Sequence, residues 1–245
     1  EQFPQPQTKE HLLALEAKGI EQIIIVQNKI DLVSKAQALE QYTQIKNFIK
    51  ENFSKDFKII PISSQQGINI DILLEEITNL KVKGRDLDAK PLFLIARSFD
   101  INKPGTMPQK LKGGIIGGTL KKGLLKLGDE IEIKPGFLEK EKYKTVKTKI
   151  LGLMAGNNLI DRALPFGSLA IQTSLDPILT KADKLSGCVV GLQNTIPEIM
   201  YKLKLKVNLF KNVATEKDKV IDIEPLKMNE NLLLSINTST TIGNI

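Results

Sequence analysis

The hydrophobic period of this chain changes between Lys83 and Asp88, and one layer architecture cannot serve both sides of the change. Up to residue 80, helical and strand patterns alternate. Thr8 is placed to cap a helix carrying Leu12, Leu13 and Leu15, and Gly19 to end it. Residues 22–27 form a short β-branched run, which is the pattern of a buried parallel strand. Leu39, Tyr42, Ile45, Phe48 and Ile49 then recur at helical spacing, and residues 57–62 make a second β-branched run. Ile70, Leu73, Ile77 and Leu80 mark a further helix. Strand and helix in alternation predict an α/β unit with a parallel sheet.

From Pro91 onward the pattern is different. Short apolar runs are separated by turn residues at 102–105, 112–114, 122–123, 127–129, 134–136 and 165–167. Punctuation of that regularity predicts an all-β barrel. A second shift comes at Ile196-Pro197-Glu198, after which Tyr201, Leu203, Leu205 and Val207 alternate with lysines and predict a half-exposed strand. Fewer than 50 residues remain there, too few for an independent core. The reading is therefore three domains, at 1–88, 89–196 and 197–245, the last incomplete. The first residue is Glu1, and the expectation is that the chain begins inside a longer protein.

Composition removes several classes of function. The single cysteine, Cys188, rules out an internal disulfide and a multi-cysteine zinc site, and the single histidine, His11, rules out a histidine-rich metal site. No apolar run reaches the roughly 18 residues of a membrane helix. Charge is uneven: residues 81–150 carry 17 basic and 8 acidic groups, a net +9, while the whole chain carries +7. A basic middle between nearly neutral flanks fits a polyanionic partner, and equally a lysine-coated soluble barrel.

The chemistry sits at Asn28-Lys29-Ile30-Asp31, directly after the strand that ends at Gln27. Open α/β sheets bind ligands beyond the carboxyl ends of their strands. The Asp31 carboxylate can accept both the ring N–H and the exocyclic amine of guanine. Asn28 suits the other polar edge of the base, and the Lys29 stem can cover its face. Adenine offers no such donor pair and would leave Asp31 unpaired, at a cost of about 1–3 kcal/mol. Ser63-Ser64-Gln65 follows the next predicted strand and can present backbone N–H groups to the base oxygen from the other side. Taken singly, each motif also reads as an ordinary polar turn. Two such loops on consecutive parallel strands make a clamp for one base.

Residues 4–12, the Asn28–Val33 segment and Ser63-Ser64-Gln65 resemble the later guanine-nucleotide motifs of the translational GTPases. Arg97-Ser98-Phe99-Asp100-Ile101-Asn102-Lys103-Pro104-Gly105 and residues 111–118, 130–136, 173–183 and 192–199 resemble the gamma subunit family of eukaryotic and archaeal translation initiation factor 2. The likeness is collinear through the chain. It implies the C-terminal half of a P-loop GTPase domain, an elongation-factor-type β-barrel, and the start of a second barrel. It also implies GTP and GDP as ligands, with Mg²⁺ in the intact protein, and a cytoplasmic GTP hydrolase that carries initiator methionyl-tRNA to the small ribosomal subunit. The implied protein partners are alpha and beta subunits, with no membrane involved. The guanine-binding roles fall on Asn28, Lys29, Ile30, Asp31, Ser63, Ser64 and Gln65. The family usually has Ala where this chain has Ser64.

A phosphate-binding loop would read G-x-x-x-x-G-K-[ST]. Gly113 with Gly118, and Gly118 with Gly123, have the glycine spacing, but Thr119-Leu120 and Leu124-Leu125 follow them. The resemblance puts the phosphate, magnesium and zinc elements upstream of residue 1. No catalytic or metal residue is therefore assigned here, and the chain alone is expected to be inactive. His11 and Cys188 read as structural, residues 139–144 as a solvated hairpin, and Arg97 and Lys103 as candidates for RNA or subunit contact. The alternatives are a relative of elongation factor Tu or the selenocysteine-specific elongation factor, and a non-catalytic RNA- or protein-binding module.

Overall fold

The computed structural model describes residues 3–53, 57–82, 84–165, 167–207, 209, 212–214, 220–222 and 224–245. Lys83, Phe166 and the side chains of Pro6, Lys9 and Leu13, all named in the sequence motifs above, lie outside the described residues. The chain divides into two compact units, Glu1–Lys83 with Val207–Pro225, and Gly84–Lys206 with Leu226–Ile245.

In the first unit, α1 (Pro6–Ala17) leads to β1 (Ile24–Gln27), α2 (Lys35–Asn52), β2 (Lys58–Pro61) and α3 (Ile70–Thr78). Helix α1 starts earlier than expected. The Thr8 N–H bonds to Gln5 O, so Thr8 sits inside the helix and caps nothing. Gly19 does end it, with φ +63 and the Ile20 N–H returned to Leu15 O. Helix α2 opens on a capping box in which the Ser34 hydroxyl and the Gln37 side chain each bond the other residue's backbone N–H. Such a cap is worth about 1 kcal/mol. Ile45 and Ile49 of α2 are buried, whereas Leu39, expected on the same face, is 57% exposed.

Strands β1 and β2 are parallel, with Ile24 opposite Lys58 and Gln27 opposite Pro61. Their burial differs from expectation, because Val26 is 41% exposed and only Gln27 of β1 is buried. The β-branched run thus marks a parallel strand that, within the described residues, is covered on one face only. Strands β12 (Asn212–Ala214) and β13 (Val220–Asp222), assigned to the same unit, pair antiparallel.

The second unit is built on a closed barrel. Its ring is made by β3 (Leu92–Phe99), β4 (Ile115–Lys122), β6 (Glu130–Glu139), β7 (Lys142–Ala155), β10 (Leu169–Thr173) and β11 (Val189–Leu192). The order is β10-β4-β3-β11-β6-β7, and β7 pairs again with β10, so the ring has no free edge. The small strand β5 (Leu125–Lys126) pairs with β9 (Arg162–Ala163), and β8 (Asn158–Leu159) pairs antiparallel with the end of β7. The inward positions of the ring, among them Phe93, Ile95, Ile116, Leu120, Ile133 and Ile171, are fully buried against one another. Strands β14 (Asn231–Ile236) and β15 (Ser239–Asn244) form a separate hairpin.

Two expectations for this unit are overturned. Lys134-Pro135-Gly136 is no turn. It lies within β6 and shifts the β6–β7 register between Ile133 and Phe137 as a bulge, with Gly136 at φ +83. Residues 201–207 alternate in hydrophobicity yet form no strand and are exposed throughout. A period of two is realised as a strand only where a partner backbone takes its hydrogen bonds, and none does so there among the described residues.

The glycines at 113, 118 and 123 have packing roles in the barrel. A Cβ at Gly113 would stand 1.8 Å from Thr173 O, and one at Gly118 would stand 1.9 Å from Leu94 O. Their phosphate-loop spacing is therefore incidental to close backbone approach.

Candidate guanine-base site

The site is assembled by the loops that leave β1 and β2. Gln27 O accepts from Ile62 N at 2.8 Å, and Ile30 N donates to Ile62 O at 3.3 Å. Asn28 and Lys29 form the excursion between these two bonds. Lys29 is left-handed, at φ 66 and ψ 34, an uncommon conformation for a residue with a Cβ. The Asn28 side chain supports it by accepting the Lys29 N–H at 2.7 Å. A 3-10 turn over Ile30–Leu32 then places Asp31 at the surface. Among the described residues its carboxylate has no hydrogen-bond or ion-pair partner, so both oxygens are open to a ligand.

The second loop is closed by an antiparallel pair between Ser63 and Ile68, at 3.2 and 3.0 Å. Ser63 is fully buried, and its hydroxyl accepts from Gln66 N at 3.2 Å. Asn69, also left-handed, donates from Nδ2 to Pro61 O at 2.8 Å and ties the end of the loop back to β2.

The loops meet at one point. Ser64 N donates to Asn28 Oδ1 at 3.1 Å, and Ser64 Oγ lies 3.1 Å from Asn28 Nδ2. The structure therefore brings Asn28 and Ser64 together, and leaves Lys29, Asp31 and Gln65 exposed beside them. It also changes which N–H groups of the loop are available. The Ser64 N–H is taken by Asn28 and that of Gln66 by Ser63, which leaves the Gln65 and Gly67 N–H groups without a partner among the described residues. A cleft of about 740 Å³ runs along the Asn28–Val33 segment towards α2, but Asp31 and Ser63 to Gln65 are not in its wall. Its floor is Gln27, which donates from Nε2 to Ala38 O at 2.9 Å and to Gln41 Oε1 at 3.0 Å. This anchor of β1 on α2 was not anticipated. Its one visible sign is a polar residue closing an apolar run.

Elsewhere, Arg97 donates from Nε to both carboxylate oxygens of Asp183, at 2.9 and 3.0 Å, and Ser98 N donates to the same carboxylate. The Arg97 side-chain bond, then the Ser98 N–H, hold the Asp183 carboxyl below the usual carboxylate range. A lowered folded-state pKa adds stability that is present above the unfolded value and is lost as pH falls through the folded one. Arg97→Met is accordingly expected to raise the Asp183 pKa in a carboxylate NMR titration. An unchanged titration would refute the pairing. Cys188 is buried, and burial pushes its thiol pKa up, as suits a small core residue. His11 is exposed on α1. Among the described residues, no three His, Cys, Asp or Glu side chains gather into a metal site, and no helix is long and apolar enough to cross a membrane.

Comparison with known proteins agrees with this architecture. Residues 1–82 match the family model of the elongation factor Tu GTP binding domain, and residues 201–245 match that of initiation factor eIF2 gamma, C terminal. In a search of solved structures, the selenocysteine factor SelB of Methanococcus maripaludis, in complex with the GTP analogue GppNHp, superimposes with a TM-score of 0.68. The alignment covers 98% of this chain and 47% of that one, at 19% identity, and shows the shared fold. An α/β unit of this type followed by a closed six-stranded barrel places the chain among the translational GTPases. Translation initiation factor 2 subunit gamma of Methanocaldococcus jannaschii is 50% identical, and that of Archaeoglobus fulgidus 45%, each over 99% of this chain. The chain belongs to the family of translation initiation factor 2 gamma subunits. It spans about 60% of the length of these curated relatives.

Proposed function

We propose that, at the length of its relatives, this protein binds GTP and GDP through Asn28, Lys29, Ile30, Asp31, Ser63, Ser64 and Gln65. We further propose that it hydrolyses GTP, assembles with alpha and beta subunits in the cytoplasm, and delivers initiator methionyl-tRNA to the small ribosomal subunit. Its domains divide near residues 88 and 196. The observation that supports this reading is the Asn28–Ser64 contact, which joins two loops at the carboxyl ends of parallel strands. In that site Asp31 pairs with the Watson–Crick donors of guanine. Asn28 Nδ2 faces the acceptors on the opposite edge, and Gln65 N–H is placed for the base oxygen. Magnesium would neutralise phosphate charge, and no residue described here is assigned to it.

The excess of lysine on the barrel supports a polyanionic partner there. Lys110, Lys112, Lys121 and Lys122 are exposed within the stretch that holds the net +9. Reversing Lys121 with Lys122, or Lys110 with Lys112, to glutamate in the assembled factor is expected to weaken initiator-tRNA retention. The slope of log affinity against log salt should flatten by about 0.7–0.9 for each phosphate that the variant no longer neutralises. Filter binding across a salt series measures both quantities. If every pair leaves retention and slope unchanged, the lysines are a solvated face and the tRNA surface lies elsewhere.

A further inference from the structure

The Ser64 hydroxyl touches the side-chain amide of Asn28, the residue proposed to read the far edge of the base. Asn28 Oδ1 accepts two backbone N–H groups, from Lys29 at 2.7 Å and Ser64 at 3.1 Å, so both of its lone pairs are engaged. Those two donors also fix which end of the amide is oxygen. Ser64 Oγ stands 3.1 Å from Nδ2 and 3.2 Å from Oδ1. With the oxygen already filled, the hydroxyl is left as acceptor for one Nδ2 hydrogen. The second Nδ2 hydrogen then has a fixed direction.

We infer that Ser64 is a positioning residue for guanine recognition: its hydroxyl locks the Asn28 amide so that the remaining Nδ2–H is presented to N7 on the far edge of the base. This rests on the guanine-site reading above. An alanine at this position keeps both backbone bonds to Oδ1 and removes the acceptor on Nδ2, so the amide is held from its oxygen side only. The benefit of the hydroxyl is therefore pre-organisation of a donor. It should be visible only with a ligand that can accept from that donor.

The guanine N7 is an acceptor, and in 7-deazaguanine a C–H replaces it. The test uses GDP and 7-deaza-GDP, titrated calorimetrically into the protein at the length of its relatives. Ser64→Ala is expected to weaken GDP binding about three- to tenfold and to leave 7-deaza-GDP binding unchanged, so that the two nucleotides converge in affinity. Ser64→Thr, which keeps the hydroxyl, is expected to bind GDP as the parent does. Equal GDP affinity of parent and Ser64→Ala overturns the inference. An equal loss for both nucleotides also overturns it, because the hydroxyl then acts by some route other than the Nδ2 donor. A Thr variant as weak as the Ala variant counts against it too. The guanine reading has its own control in Asp31→Asn. If that change leaves the ratio of GDP to xanthosine diphosphate affinity untouched, the site assignment fails, whatever Ser64 does.

Discussion

Asp31→Asn should convert a guanine site into one that prefers xanthine. The carboxylate accepts from both N1–H and the exocyclic amine of guanine. An amide can accept only one of these bonds, and turns a donor towards the other. Two hydrogen bonds to a charged group, at about 1.5–3 kcal/mol each, put the expected loss of GTP affinity at roughly a hundredfold or more. Xanthine carries an oxygen where guanine carries the amine, so the same amide gains a bond to it and XTP affinity should rise. The fold should not respond, because Asp31 is exposed and has no partner among the described residues. Parallel titrations with GTP and XTP on the full-length protein decide the matter. Affinities unchanged for both would remove Asp31, and with it the guanine clamp, from the account.

The second large effect concerns stability and contrasts two neighbouring glycines of β4. A Cβ on Gly118 would come within 1.9 Å of Leu94 O and 3.1 Å of the Phe93 ring, both buried residues of β3. A backbone carbonyl held in the β3–β4 ladder cannot rotate away, so the strands must separate or the ladder must break. A Cβ on Gly117 meets nothing nearer than 3.9 Å. Gly118→Ala is therefore expected to destabilise the barrel by about 3 kcal/mol or more, and Gly117→Ala to stay within about 0.5 kcal/mol of the parent. Paired thermal and urea denaturation measures both. Similar stabilities for the two variants would mean that the close approach of β3 and β4 at this point is relaxed in solution.

Much of the candidate site's backbone geometry was legible because it is local. The side chain of Asn28 stabilises the left-handed Lys29 next to it, and the 3-10 turn that exposes Asp31 follows within three residues. A reader of the sequence needs only the strand before the motif to place it at the carboxyl end of a parallel sheet. The same holds for Ser63 to Gln65 after β2 and for the change of period near residue 88 that divides α/β from all-β. The proposed ligand and partners came from family resemblance, and no local pattern contains them.

What the sequence determined by itself, then, were features set by neighbours along the chain: helix and strand periods, capping at Ser34, the turn at Gly19 and the order of the two motifs. Tertiary structure decided the features that depend on which distant backbone arrives alongside. Lys134-Pro135-Gly136 carries turn residues, yet it became a bulge because β7 passes beside it and takes up the shifted register. Residues 201–207 carry a strand's alternation, yet they formed none, because no partner ladder meets them among the described residues. Arg97 met Asp183 across 86 positions of sequence, and the Ser64 N–H met Asn28 across 36, in place of the ligand expected from the sequence. The physical reason is common to all four. A local conformational preference is satisfied by neighbours along the chain, whereas a ladder hydrogen bond, a free N–H or a charge takes whichever partner the fold brings alongside.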